Sequence, residues 1–341
     1  MKRNVLILFG LTLLAGAILF VLNIASSRSN EKKNGFIRTI VNNVLQEKGQ
    51  LEIPTDVMKI INVSNDTVYL QTNDPELIYY TTDFLELKKL KFPFNKTHKF
   101  KSLFTSYVDY PNVYILGGNA RRTFKLNLTK AEIDSTNLLI PGAFGNSVHI
   151  NSKEWIVRYI DSATFNSQFA RVNIGNGQFV TEDSISPRLN DAGFTNDGIL
   201  VHEENTPYLS FIQFYNNQIT LFDTAFIVQG RFHTIDTCFS PGITLRKDST
   251  GVTNSAPPHM VNGPSAVENG YVYVHSYLRA DNETQNQGLL IIDRYDQKTG
   301  KYINSFYLPP NREKHLLGLY ISNNNLYALY NRALVRARIL K

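Results

Sequence analysis

One phrase recurs along the chain: a turn of Asn, Asp, Gly or another polar pair, followed at once by a short run of Val, Ile, Leu and Tyr. Six copies can be read: Asp66-Thr67-Val68-Tyr69-Leu70, Pro111-Asn112-Val113-Tyr114-Ile115, Lys153-Glu154-Trp155-Ile156-Val157, Asn196-Asp197-Gly198-Ile199-Leu200-Val201, Asn269-Gly270-Tyr271-Val272-Tyr273-Val274 and Asn324-Asn325-Leu326-Tyr327-Ala328. The first four lie about 42 to 45 residues apart, the period of a four-stranded propeller blade; the later intervals stretch to roughly 73 and 54, as loop insertions allow. The fifth copy shows the surrounding pattern best. Strands at Tyr271–Ser276 and Leu289–Tyr295, a turn at Asp296–Gly300 and a strand at Tyr302–Leu308 make a β-meander. One such unit buries too little alone, so units must pack face to face around an axis. The expectation is an all-β, six-bladed β-propeller over residues 55–341, preceded by one N-terminal transmembrane or signal helix over residues 1–30.

The composition agrees with strands. Phe and Tyr number 21 and 18, hydrophobic residues make up 43% and charged residues only 19%, which excludes a disordered chain. A net charge of +6 is modest for this length and points away from nucleic acid. The single cysteine, Cys238, permits no intrachain disulfide and no cysteine-based metal cluster.

The sixth unit offers Leu316–Ser322, Asn325–Tyr330 and Ala333–Leu340 and then the chain stops, one strand short. Residues 31–54 are read as a linker that holds a ring-closing strand within Phe36–Ile53, because an open sixth sheet would present unpaired backbone groups. Upstream, Val5 to Ile24 carries no charge and matches the roughly 20 residues a helix needs to cross a bilayer. Lys2 and Arg3 precede this run, while Arg28, Lys32 and Lys33 follow it. An uncleaved anchor is the first reading and a signal peptide cut near Ala25-Ser26-Ser27 the second. Either places the propeller in the periplasm or outside the cell.

The strand, turn and spacing pattern over residues 51–341 resembles six-bladed propellers of the TolB-like and NHL-like kind. The N-terminal apolar segment, a first unit opening near Lys59–Leu70 and the stretch Ala256-Pro257-Pro258-His259-Met260-Val261-Asn262 before Ser265-Ala266-Val267 resemble a membrane-anchored propeller family of Gram-negative bacteria. That resemblance implies a fold and an envelope location and carries no activity with it.

Signatures for phosphate loops, zinc proteases, nucleophile elbows and EF-hands are absent. Gly117-Gly118 before Arg121-Arg122 follows a strand but opens no helix, so it reads as a hairpin turn. His202-Glu203-Glu204 is the densest titratable cluster, read as a surface turn ahead of a metal or acid–base site. Arg158 and Asp161 in the third unit and His275 and Arg279 in the fifth fall near the ends of second strands, whose loops share one face of a propeller. The candidate binding residues are therefore Arg122, Asp161, His202, Glu203, His275 and Arg279, on the face that also carries the long Arg231–Pro264 crossover. No catalytic residue, metal or cofactor is expected. The functional expectation is a noncatalytic, monomeric envelope propeller that binds a protein or a small polar ligand. The alternative is a propeller-type hydrolase or lactonase with an axial metal held by residues such as Asp109, Asn146, Asp161, Asn196 and Asp197.

Overall fold

A computed structural model of the chain describes residues 10–22, 33–92, 103–130, 132–182, 184–204, 206–248, 251–254, 259–283, 289–313 and 315–340. Strand β1 (Leu45–Glu52) precedes the first blade, which is formed by β2 (Val57–Ser64), β3 (Thr67–Thr72), β4 (Leu77–Thr81) and β5 (Lys88–Lys91). Blade 2 holds β6 (Phe104–Asp109), β7 (Asn112–Gly117), β8 (Arg122–Asn127) and β9 (Glu132–Asn137). Blade 3 holds β10 (Gly142–His149), β11 (Glu154–Asp161), β12 (Ser167–Asn173) and β13 (Phe179–Glu182). Blade 4 holds β14 (Gly198–His202), β15 (Tyr208–Gln213), β16 (Gln218–Asp223) and β17 (Val228–His233). A hairpin of β18 (Leu245–Asp248) and β19 (Gly251–Asn254) stands in the crossover to blade 5, which holds β20 (Asn262–Glu268), β21 (Tyr271–Ser276), β22 (Ile291–Asp296) and β23 (Tyr302–Tyr307). Blade 6 holds β24 (Leu316–Ser322), β25 (Asn325–Tyr330) and β26 (Ala333–Ile339), and its fourth strand is β1, antiparallel to β26 with Leu45 opposite Ile339 and Glu52 opposite Ala333. The architecture is an all-β six-bladed propeller.

The recurring phrase has a local cause. In blades 1, 5 and 6 the first two strands are joined by two-residue turns whose residues both take positive φ: Asn65 and Asp66 (48° and 59°), Asn269 and Gly270 (53° and 74°), Asn323 and Asn324 (52° and 60°). Such turns match the twist of the strands they join, and only Gly, Asn and Asp enter that region cheaply. In the fourth unit the phrase marks something else. Asn196-Asp197-Gly198 ends the connection from blade 3, so Ile199–Val201 lies in the first strand of its blade and not in the second.

The core is divided into six layers, one at each blade interface. Ile61, Ile78 and Phe92 of blade 1 pack on Val108, Val113 and Phe124 of blade 2. Tyr114 and Leu116 meet Phe144 and Trp155. Ile156 and Phe169 meet Leu209 and Phe211. Ile212 and Ile219 meet Val272 and Tyr295. Ile292 and Phe306 meet Leu326 and Tyr330. Leu329 and Leu334 of blade 6 then meet Val57 and Leu70 of blade 1, which closes the ring.

At the N-terminus a helix covers residues 10–22, and every residue in it is exposed. Among the described residues no helix is long and apolar enough to cross a membrane. The ends of the apolar run, residues 5–9 and 23–24, lie outside the described residues, as do Arg28 and Lys32.

Candidate functional site

In each antiparallel blade the first strand runs from one face of the ring to the other and the second returns. Loops after second strands therefore share a face with the connections between blades, and turns between first and second strands occupy the opposite face. Arg122 opens β8 beside the second-to-third loop of blade 2, Asp161 ends β11, and Arg279 lies in the second-to-third loop of blade 5. These three sit on the face of the crossover. His202 and Glu203 do not, because β14 is a first strand and its end joins the turn to β15 on the far side. The sequence reading put all of them on one face because it took β14 for a second strand.

On the far face, His202-Glu203-Glu204 holds blades together. Each ring nitrogen of His202 faces a carbonyl oxygen, His149 O of blade 3 at 3.1 Å and Thr206 O at 2.9 Å. Glu203 accepts from the backbone N–H groups of Asn269 and Gly270, in the first turn of blade 5, at 2.6 and 3.2 Å. Glu204 accepts the Tyr107 hydroxyl of blade 2 at 2.6 Å. Burial and then the Glu204 carboxylate hold that phenol far above its ordinary range. The Tyr107 ring stacks on His149 with centroids 3.8 Å apart, and burial followed by the nearby His202 pushes His149 down to about 4. Three consecutive residues thus reach three different blades.

On the crossover face, the remaining candidates divide by burial. Asp161 Oδ1 accepts from Ala163 N, Thr164 N and Thr164 Oγ1 at 3.0, 2.7 and 2.9 Å, and the Thr164 backbone N–H chiefly lowers its pKa. Arg122 Nε donates to Asn137 Oδ1 at 2.9 Å. The Arg279 carbonyl accepts from Asn34 Nδ2 at 2.8 Å. His275 is only 2% exposed; its Nδ1 has no hydrogen-bond partner among the described residues, and burial pushes it down to about 4. The ring fits there because residue 263 is glycine, where a Cβ would stand 2.6 Å from Nδ1.

The same face holds groups that sequence reasoning passed over or undervalued. Arg158 is buried over the Phe211 ring. It ties blade 3 to the connection leading into blade 4 by donating to Asp197 Oδ1 at 2.8 Å and Gly193 O at 3.0 Å. Lys59 lies in β2, the first strand of blade 1. Its Nζ reaches only Thr105 Oγ1 at 3.5 Å, no carboxylate pairs with it among the described residues, and burial alone pushes it down to about 8. The signal available was a charged residue in an otherwise apolar first strand, Val57-Met58-Lys59-Ile60-Ile61. Three carboxylates on the same face have partners of their own: Asp197 is engaged by Arg158 and Gly198 N, Asp161 by its turn, and Asp281 by the N–H groups of Asn34 and Gly35.

The residues considered for an axial metal do not converge. Asn146 Nδ2 donates to Gly198 O at 2.9 Å and Asn196 Nδ2 to Ser186 Oγ at 2.7 Å, while Asp109 ends β6 on the far face. Among the described residues no three or more His, Cys, Asp or Glu are grouped so as to hold a metal ion. Two shallow clefts lie away from the axis, one along Val41, Val44, Phe306 and Leu308, the other beside Leu139, Arg171 and Val180.

No family model matches the chain, and no curated protein matches it. Solved structures do. A DUF4221-family protein from Bacteroides vulgatus superposes with a TM-score of 0.52 at 12% identity, covering 90% of this chain and 98% of that one. A catalytically inactive virginiamycin B lyase from Staphylococcus aureus with quinupristin gives 0.51 at 12% identity over 87% and 99%. A luciferin-regenerating enzyme gives 0.51 at 9% identity over 86% and 95%. At these identities the likeness defines the class, a six-bladed propeller, and nothing narrower.

Proposed function

We propose that the chain is a noncatalytic, membrane-anchored propeller of the cell envelope that binds a small anionic ligand at the crossover-face mouth of its ring. The observation that carries the reading is Lys59: a half-buried lysine on the first strand of blade 1, with one hydroxyl contact at 3.5 Å and no carboxylate partner among the described residues. An uncompensated charge in such a place is costly, and an anion offsets that cost. Asp197 and Asp281, carboxylates on the same face, are engaged by Arg158 and by backbone N–H groups. Arg122 and Arg279 add positive charge farther out on the same face. The fold is shared by catalytic and binding propellers and does not choose between them. The anchor rests on the helix at residues 10–22, whose Leu11, Leu14, Ile18 and Leu22 are exposed, since a helix apolar all round belongs in a membrane or a protein core. The apolar run around it reaches the length a bilayer needs.

Calorimetric titration with a panel of small dicarboxylates and organic phosphates tests the site. At least one anion is expected to bind, Lys59→Met to weaken it about 10-fold or more, roughly 1.4 kcal/mol, and Tyr110→Ala on the far face to leave it unchanged. A panel that binds equally to wild type and Lys59→Met, or not at all, removes the reading.

A further inference from the structure

The chain enters the propeller at one fixed point. Asn34 N and Gly35 N donate to Asp281 at 2.7 and 3.1 Å, Asn34 Nδ2 donates to Arg279 O, and Thr237 Oγ1 donates to Asn34 O at 2.6 Å. Four residues on, the Arg38 guanidinium is fully buried: Nε and Nη2 donate to the two oxygens of Asp293 at 2.7 and 2.9 Å, and Nη1 donates to Glu283 and to Leu278 O, each at 2.9 Å. Asn282 closes the clamp by accepting from Arg38 N and donating to Arg38 O. All of these anchoring loops, the second-to-third loop of blade 5 and the start of the crossover, lie on the face where Lys59 sits.

Residues 23–32 separate the described helix from this point. Ten residues span at most about 35 Å, whereas a folded unit of about 300 residues is roughly 50 Å across. A chain so tethered reaches the bilayer with the rim it enters, not with the opposite face. That rim is also built for an interface. Phe239 on the crossover and Tyr277 on the blade 5 loop are 66% and 40% exposed, and Ile37 beside the clamp is 71% exposed. Lys33 and Arg279 supply positive charge there. Aromatic side chains with flanking cations suit the headgroup layer of an anionic membrane.

We infer that the crossover-side rim where blades 4 and 5 adjoin, carrying Phe239 against His233 of blade 4 and Tyr277 on the blade 5 loop, rests on the membrane surface, so that the mouth beside Lys59 opens toward the bilayer. The inference depends on the reading of the N-terminal run as a membrane anchor, and the test separates the two. The protein has one tryptophan, Trp155, and it is 1% exposed, so an introduced indole reports its own surroundings. Full-length Phe239→Trp and Tyr277→Trp, with Tyr110→Trp on the far face as reference, are reconstituted in vesicles containing phosphatidylglycerol and a headgroup spin-labelled lipid. Retention after an alkaline carbonate wash tests the anchor first. With the chain retained, Phe239→Trp or Tyr277→Trp is expected to lose at least half of its added emission and Tyr110→Trp little. Equal quenching of all three, or quenching of none, overturns the rim while the anchor stands. Release by carbonate overturns the anchor and the inference with it.

Discussion

His275 stands near the end of a second strand, a place its spacing predicts, and its burial, which no sequence spacing reports, changes what it can do. A side chain 2% exposed is closed to a ligand in the mouth, yet it sets how the fold responds to acid. Burial, then the charges of His315 and Arg38, take it from the ordinary 6.5 down to about 4. The folded state therefore prefers the neutral ring, so its contribution is fully present above about pH 6.5 and is lost as pH falls toward 4. A shift of that size amounts to about 3 kcal/mol at most. His149 is shifted in the same direction and adds to the effect. Denaturant midpoints at pH 7.5 and pH 4.5 are expected to fall steeply for wild type and less steeply for His275→Gln. A pH dependence identical in the two proteins would show that His275 keeps an ordinary titration in the fold.

At the scale of elements, the legible part of the fold was the part written in turn chemistry. Asn65-Asp66, Asn269-Gly270 and Asn323-Asn324 take positive φ, and that backbone demand repeats visibly because few residues meet it. Blade 4 misled for the same reason. Its first turn, between β14 and β15, has no positive-φ pair among its described residues, while Asn196-Asp197-Gly198 carries the sequence signature for another purpose, pairing Asp197 with Arg158 and with the Gly198 N–H. Lys59 and the Arg38 clamp were illegible because their partners stand far off in sequence, as Arg38 does from Asp293. Successive truncations read these elements separately. Removing residues 1–32 is expected to leave the melting temperature nearly unchanged. Removing 1–41 leaves Asp293 and Glu283 buried without their guanidinium, at a cost of about 3 to 5 kcal/mol. Removing 1–53 lowers it again by taking β1 away from β26 and baring a sheet edge. Equal melting of the 1–32 and 1–41 truncations would show that the clamp contributes nothing, and equal melting of 1–41 and 1–53 that β1 is dispensable.

Among the described residues the apolar side chains form no single core, so the molecule's cooperativity must come from the ring. Each apolar layer is shared by two blades, and polar ties run beside the layers: Gln71 Nε2 to Phe104 O between blades 1 and 2, Arg158 to Asp197 between 3 and 4, Asn262 Nδ2 to Gln213 O between 4 and 5. Repeat arrays whose units touch only their neighbours can unfold piecemeal, from whichever end is loosest. Here the layer of Leu329, Leu334, Val57 and Leu70 joins the last blade to the first, and β1 covalently carries the start of the chain into blade 6. No unit can leave without disrupting two layers. Scanning calorimetry on the 1–32 truncation is therefore expected to give one transition with calorimetric and van't Hoff enthalpies equal. Phe211→Ala, in the layer between blades 3 and 4, should lower that transition by about 3 to 5 kcal/mol without splitting it. Removing residues 1–53 should instead make the van't Hoff enthalpy fall below the calorimetric one, because a ring held between blades 6 and 1 by that apolar layer alone opens more easily into a linear array. If Phe211→Ala splits the transition while the ring is intact, the blades unfold as separate units and closure does not couple them.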